Sequence, residues 1–306
     1  MRQFIWPALI YGLIWAASLG YLVTVGEESP AGPLFIFAVF GLGFPFVTQF
    51  LTRRTEPFPT TWETSWLEPL AVLFLLGVIT VYLVYGVGLV GAQAEALAPG
   101  SERALLLAKT GGKLLVFVVL PFVLMAMIIR HPLSSFGWQT PLWRMFRGRD
   151  VMLLILLGAV FCLFQYFFGN GAAPIKDGAF TSQQLMVGLP IVFLWLVIEV
   201  GLVEEFFFRG IVQARLAVFL RNEWAGLFLA SLIFALAHVP GLILRGAEAG
   251  DPWLITANAI LVLSAASITF GYIWMRTRNL LILMMLHAAW DLLPNFAATS
   301  HALGLN

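Results

Sequence analysis

The chain has 306 residues, of which 60% are hydrophobic and 11% charged, with a formal net charge of +1 and a mean hydropathy of +0.92. Soluble domains carry about 25% charged residues, so a soluble globular class is excluded and an integral membrane protein follows. The near-neutral balance offers no basic surface for nucleic acid, and a single cysteine, Cys162, excludes an intrachain disulfide.

A membrane span needs about 20 predominantly apolar residues. Runs of that kind predict helices near 4–25, 34–51, 70–91, 113–129, 151–168, 185–220, 225–239, 257–275 and 279–293. Met1-Arg2 followed by an apolar run imitates a signal peptide. The run to about Val25 is long enough to span and shows no convincing small-residue cleavage site, so it reads as the first membrane helix. Pro30 to Pro33, Pro99-Gly100, Gly111-Gly112, Gly169 to Pro174, Pro240-Gly241 and Asp251-Pro252 punctuate the runs. No internal repeat stands out. The expected fold is all-α: a polytopic membrane helix bundle of about eight or nine transmembrane helices, forming one domain over residues 1–306.

Lysine and arginine in the loops set the orientation. With a cytoplasmic N-terminus, Arg2, Arg53, Arg54, Arg130, Arg144, Arg147, Arg149, Arg209, Arg215, Arg221, Arg276 and Arg278 fall inside. Arg103, Lys109, Lys113, Lys176 and Arg245 fall outside, with Glu27, Glu28, Glu95, Glu102, Asp177, Glu248 and Asp251. The turn between the sixth and seventh helices is centred near Asn222, with Glu204 18 residues before it and His238 16 residues after it. Two helices leaving one turn return to similar depth after similar lengths, so Glu204 and His238 can face each other. His287 follows Arg278 by nine residues. These groups converge roughly 8–13 Å below the cytoplasmic surface, in a pocket that water can reach.

Polar groups within the spans are few: Glu199, Glu204, Glu205, His238, His287 and Asp291. A charge deep in a bilayer costs roughly 2.5–3.5 kcal/mol or more, which makes an intramembrane carboxylate a functional candidate by default. Glu205 and Arg209 are four apart and can pair on one helical face. Glu204 points about 100° away, free of that arginine. Phe234 and His238, and likewise His287 and Asp291, are i, i+4 pairs. Glu199 lies off the Glu204 face and reads as a hydrogen-bonded packing residue. His131 and His301 receive no role. Two chemistries fit. In one, Glu204 and His238 activate a water that attacks a carbonyl, while donors from the last helix stabilise the oxyanion. In the other, Glu204, His238 and His287 bind a metal, with zinc the natural choice. The sequence has no His-Glu-x-x-His pair and places only Asp291 among the aspartates within its predicted helices. Ser264 and Ser267 lack a nucleophile context and read as helix-packing hydroxyls.

Glu204-Glu205-x-x-x-Arg209, Phe234-x-x-x-His238 and His287-x-x-x-Asp291, in that order on three late helices, resemble the type II CAAX prenyl endopeptidase family, which includes the CPBP membrane proteases and bacteriocin-immunity proteins. The resemblance covers a core of about 185–293. It implies a hydrolase: an intramembrane glutamic-type endopeptidase that cleaves a membrane-associated substrate, prenylated CAAX-like peptides being one class, without a cofactor. Carried over, Glu204 and His238 are catalytic through the water, His287 and Asp291 stabilise the oxyanion, and Glu205 and Arg209 support the first motif. The family's best-understood members have Asn where this chain has Asp291. Either Asp291 is protonated, or it accepts from His287 and orients it. The short loops and frequent Trp read as a bacterial or archaeal cell-membrane protein. The competing readings are a non-catalytic binding or immunity-type module using the same site, and a proton-relaying transporter. The paired helix interruptions of such a transporter are absent from the sequence.

Overall fold

The computed structural model describes residues 2–26, 28–52, 67–138, 145–146, 148–245 and 251–305. Among these, nine helices are long and apolar enough to cross a membrane: α1 (Gln3–Val25), α2 (Ala31–Leu51), α3 (Leu67–Leu97), α4 (Glu102–Ile128), α5 (Gly148–Phe168), α6 (Ser182–Phe219), α7 (Glu223–Leu244), α8 (Pro252–Thr277) and α9 (Leu280–Leu303). The described residues form no strand. The protein is an all-α polytopic bundle, as spanning helices must be where no water can satisfy an open backbone.

Several helices outrun the sequence expectation. Ser101 caps α4, its hydroxyl accepting from the Ala104 amide at 3.3 Å, and the helix continues through Gly111-Gly112. Lys113, expected at an outer loop, therefore lies well inside a span. α7 runs through Pro240, and α9 runs through Pro294 to Leu303, as helices surrounded by other helices can. Asp150, expected just before a helix, is buried in the first turn of α5, with its carboxylate 3.1 Å from Asn279 Nδ2. Arg209 and Arg215, expected at the cytoplasmic surface, are 1% exposed because α6 continues to Phe219 inside the bundle. Arg215 meets His131 at 3.2 Å and Glu68 at 3.9 Å. Arg53, Arg54, Arg144, Arg147, Glu27 and Glu248 lie outside the described residues.

Successive helices alternate in direction, and contacts at the two ends fix the alternation. At one end Arg278 pairs with Glu223, the Asn222 amide donates to the Gln3 carbonyl at 2.8 Å, and Arg276 binds Thr52. At the other, His301 meets Glu102 at 2.5 Å and the Tyr21 hydroxyl donates to Asp251 at 2.8 Å. The core is built on α6 and α9. Phe206, Phe207, Phe208, Ile211 and Val212 of α6 are buried with Ile282, Leu283 and Leu286 of α9, Leu157 and Phe161 of α5, and Phe234 of α7.

Membrane helices gain most from close packing, which small residues permit. Gly201 of α6 abuts the backbone of Met284 on α9, so a side chain there would overlap the Met284 carbonyl. Gly201→Leu is expected to destabilise the bundle by about 1–3 kcal/mol, measurable as a lower thermal midpoint in detergent. An unchanged midpoint would show that α6 and α9 are not locked at this crossing.

Candidate active site

Glu204 and Glu205 occupy a short α-helical stretch, Val203–Glu205, between two π-helical segments of α6, Val197–Leu202 and Phe206–Gln213. π segments concentrate at functional sites. Here they bracket the two carboxylates and aim them differently. Glu205 is fully buried, whereas the Glu204 side chain is 21% exposed.

Glu205 Oε2 lies 3.2 Å from Arg209 Nε. The guanidinium also donates through Nη2 to the Ser267 hydroxyl at 3.1 Å, and its Cζ sits 4.7 Å from the centroid of the Phe234 ring and 5.6 Å from that of Phe270. The other Glu205 oxygen accepts from His287 Nδ1 at 2.5 Å. One buried carboxylate thus joins an arginine on its own helix to a histidine on α9. The sequence showed the Glu205–Arg209 pair through its spacing. It gave no sign of the Glu205–His287 bond, which depends on how α6 meets α9.

Glu204 faces both histidines. Its Oε1 is 3.9 Å from His238 Nε2, and its Oε2 is 3.8 Å from His287 Nε2. His287 Nε2 lies 3.7 Å from Asp291 Oδ2. His238 Nδ1 donates to the Phe234 carbonyl at 2.8 Å, so the Phe234-x-x-x-His238 spacing fixes a tautomer as well as a face. Both rings have Nδ1 engaged and present Nε2 to Glu204. Asn222 caps α7, its Oδ1 accepting from Trp224 N at 3.0 Å and Ala225 N at 3.2 Å. That turn sets the matched depth of Glu204 and His238. Glu204, Glu205, Arg209, His238, His287 and Asp291 are therefore assembled in one place from α6, α7 and α9.

This constellation lies within residues 186–293, which match the family model Type II CAAX prenyl endopeptidase Rce1-like. That segment of the chain is similar to a CAAX-protease domain. The matched segment runs through α6 to α9 and leaves α1 to α5 outside it. Among curated proteins and among solved structures, none matches the chain. The family is one of CAAX endopeptidases, and with its apolar spans the protein is an integral multi-pass membrane peptidase that works on membrane-associated substrate.

The remaining polar candidates stay apart from this cluster. The Ser264 hydroxyl is bonded to Tyr11 at 2.7 Å, and the Ser267 hydroxyl accepts from Arg209. The Cys162 thiol contacts the Ala289 carbonyl at 3.5 Å. Asp150 binds Asn279, the cap of α9. It lies 12 residues from Asp291 along the helix axis, about 18 Å, so the second helical aspartate makes no dyad. An apolar cavity of about 330 Å³ between α1, α2, α7 and α8 contains none of the candidate residues. Glu199 and Lys113 form a polar pair that the sequence did not assign to the site. Lys113 Nζ is 2.9 Å from Glu199 Oε1, and Trp195 Nε1 donates to Glu199 Oε2 at 3.0 Å.

Removing one partner of a buried ion pair leaves the other charge uncompensated and costs about 3–5 kcal/mol. Arg209→Met should therefore destabilise the protein by that amount and lower its thermal midpoint and yield. Arg209→Lys should recover only part of the loss, because a lysine cannot serve Glu205 and Ser267 from one planar fork. Full recovery with Lys would show that charge alone matters there.

Proposed function

We propose that the protein is a glutamic-type endopeptidase in which Glu204 and His238 activate the attacking water and His287, with Asp291, stabilises the oxyanion. The observation that carries this reading is Glu204 facing the Nε2 atoms of His238 and His287 at 3.9 and 3.8 Å while each ring's Nδ1 is engaged elsewhere. With Nδ1–H given to the Phe234 carbonyl, neutral His238 keeps its lone pair on Nε2. Two acceptors 3.9 Å apart suit one water that donates a hydrogen to each, leaving its own lone pair for the scissile carbonyl. Glu204 takes one proton as the water attacks and delivers it to the leaving amine.

His287 has the opposite task. Glu205 accepts from Nδ1, so a donor at Nε2 is the imidazolium, balanced by Glu204, Glu205 and Asp291. Such a donor, fixed before reaction, stabilises charge that develops on the carbonyl oxygen. Asp291, 3.7 Å from the same Nε2, orients the ring or donates as a carboxylic acid.

Among the described residues no group of His, Cys, Asp and Glu is arranged to hold a metal ion. We read the water as activated without a metal, with zinc held by Glu204, His238 and His287 as the alternative that chelation tests. The end of the bundle with Arg130, Arg221, Arg276 and Arg278 reads as cytoplasmic by the positive-inside rule. The site is nearer that end: His287 follows the start of α9 by seven residues, about 10 Å. The substrate class we favour is a peptide held at the cytoplasmic face by a lipid anchor or helix, prenylated CAAX-type peptides included.

Glu204→Gln should abolish cleavage, by about 10³-fold or more, with an unchanged thermal midpoint, scored on membrane peptides with and without a C-terminal prenyl group. Near-normal cleavage by that variant would remove Glu204 as the base. A strong chelator should leave the wild-type rate unchanged. Loss that zinc restores would move the mechanism to the metal class.

A further inference from the structure

Lys113 is a cation inside a span. It follows the start of α4 by 11 residues and precedes its end by 15, so it lies about 16 Å from one end and about 23 Å from the other. An ionisable group at such depth is costly and is a functional candidate. Its placement is built. Glu199 of α6 receives the ammonium on one oxygen at 2.9 Å and the Trp195 indole on the other at 3.0 Å. Glu199 is therefore held from both sides, and it holds Lys113 in turn. The Lys113 side chain stays 35% exposed, leaving N–H donors beyond the one given to Glu199. Glu102 meets His301 where α4 begins and α9 ends, so Lys113, 11 residues along α4, and Asp291, ten residues back along α9, reach the same depth. The Glu199 that holds Lys113 lies five residues before Glu204 on α6.

The charges around the site explain why a cation is useful there. Arg209 is committed to Glu205 and Ser267. Among the described residues, the ion-pair partners of Glu204 and Asp291 are histidines. Both carboxylates are partly exposed, 21% and 23%, inside the membrane-spanning region. The match to the family covers residues 186–293 and does not extend to Lys113.

We propose that Lys113 is a positioning residue of the active site, supplying from α4 the counter-charge to Glu204 and Asp291, with Glu199 and Trp195 as its holder. The peptidase site thus draws on four helices, and one of them lies outside the matched domain. This inference rests on the catalytic reading of Glu204.

The bland alternative is a staple, an ion pair that fastens α4 to α6. A double-mutant cycle separates the two. Lys113→Met should lower kcat about tenfold with KM little changed, the size expected for one unit charge acting at several ångströms in a partly solvated site. Lys113→Arg should keep most of the rate, and Lys113→Gln should behave as the Met variant does. A staple loses nothing when both charges go together, so it predicts that Lys113→Met with Glu199→Gln returns to within about twofold of wild type. A counter-charge predicts that this double variant stays about tenfold down. It also predicts that Lys113→Met costs much less when Asp291→Asn has already removed one of the charges it offsets. Restoration by the first double variant, or an undiminished tenfold loss in the second, overturns the proposal.

Wild-type protein that cleaves no peptide would overturn the peptidase reading instead. The cycle is then read from melting temperatures, which need no substrate. Asp291→Asn should raise the Tm of the Lys113→Met protein more than that of wild type, and equal shifts overturn the proposal.

Discussion

The arrangement depends on one buried carboxylate. Glu205 has no contact with solvent, and it survives there because an arginine holds one oxygen and a histidine the other. Removing a carboxylate from water costs several kcal/mol even after relaxation. The Arg209 charge, the hydrogen bond from His287 and the aromatic rings of Phe234 and Phe270 against the guanidinium offset that cost together. None of these groups is free to move without unpairing another. α6, α7, α8 and α9 each contribute to this knot, so the helices carrying the working groups are held in register by it.

From this follows a division of labour between two adjacent glutamates. The inner one orients, and the outer, part-exposed one faces the two histidines. The histidines show the same division atom by atom. Each ring has Nδ1 fixed, one by a backbone carbonyl and one by Glu205, so each offers a defined nitrogen to Glu204. Their fixing partners differ in charge. A neutral carbonyl behind His238 suits a ring that accepts a proton, while a carboxylate behind His287 suits a ring that carries one. Similar side chains on neighbouring helices thereby become suited to opposite tasks.

Much of this was legible in the sequence because it rests on spacing. The i, i+4 spacing of Glu205 and Arg209, that of Phe234 and His238, and the similar counts of 18 and 16 residues on either side of Asn222 survive folding. What depends on the approach of separate helices was not legible. The bond from His287 to Glu205 is one example. The pairing of Lys113 with Glu199 is another, hidden because Gly111-Gly112 looked like a loop and moved the expected start of α4 onto the lysine itself. Proline misled in the same way at Pro240 and Pro294, which a membrane helix accommodates when neighbours shield its backbone. Arg209 and Arg215 looked like surface charges by composition. Only the length of α6 and the positions of Glu205, Glu68 and His131 show them to be internal.

The π segments flanking the two glutamates carry a consequence for comparing this chain with others. Each π turn holds one residue more than an α turn before its hydrogen bond closes. α6 therefore behaves as an α-helix with extra residues inserted on either side of Val203–Glu205. Inserted residues of this kind change the angular phase of everything beyond them without breaking the helix. A relative that differs by one residue near 200 or 210 could keep its fold while turning the glutamate pair onto another flank. Gap-free similarity in this stretch is thus a stricter sign of shared chemistry than the same similarity elsewhere in the bundle.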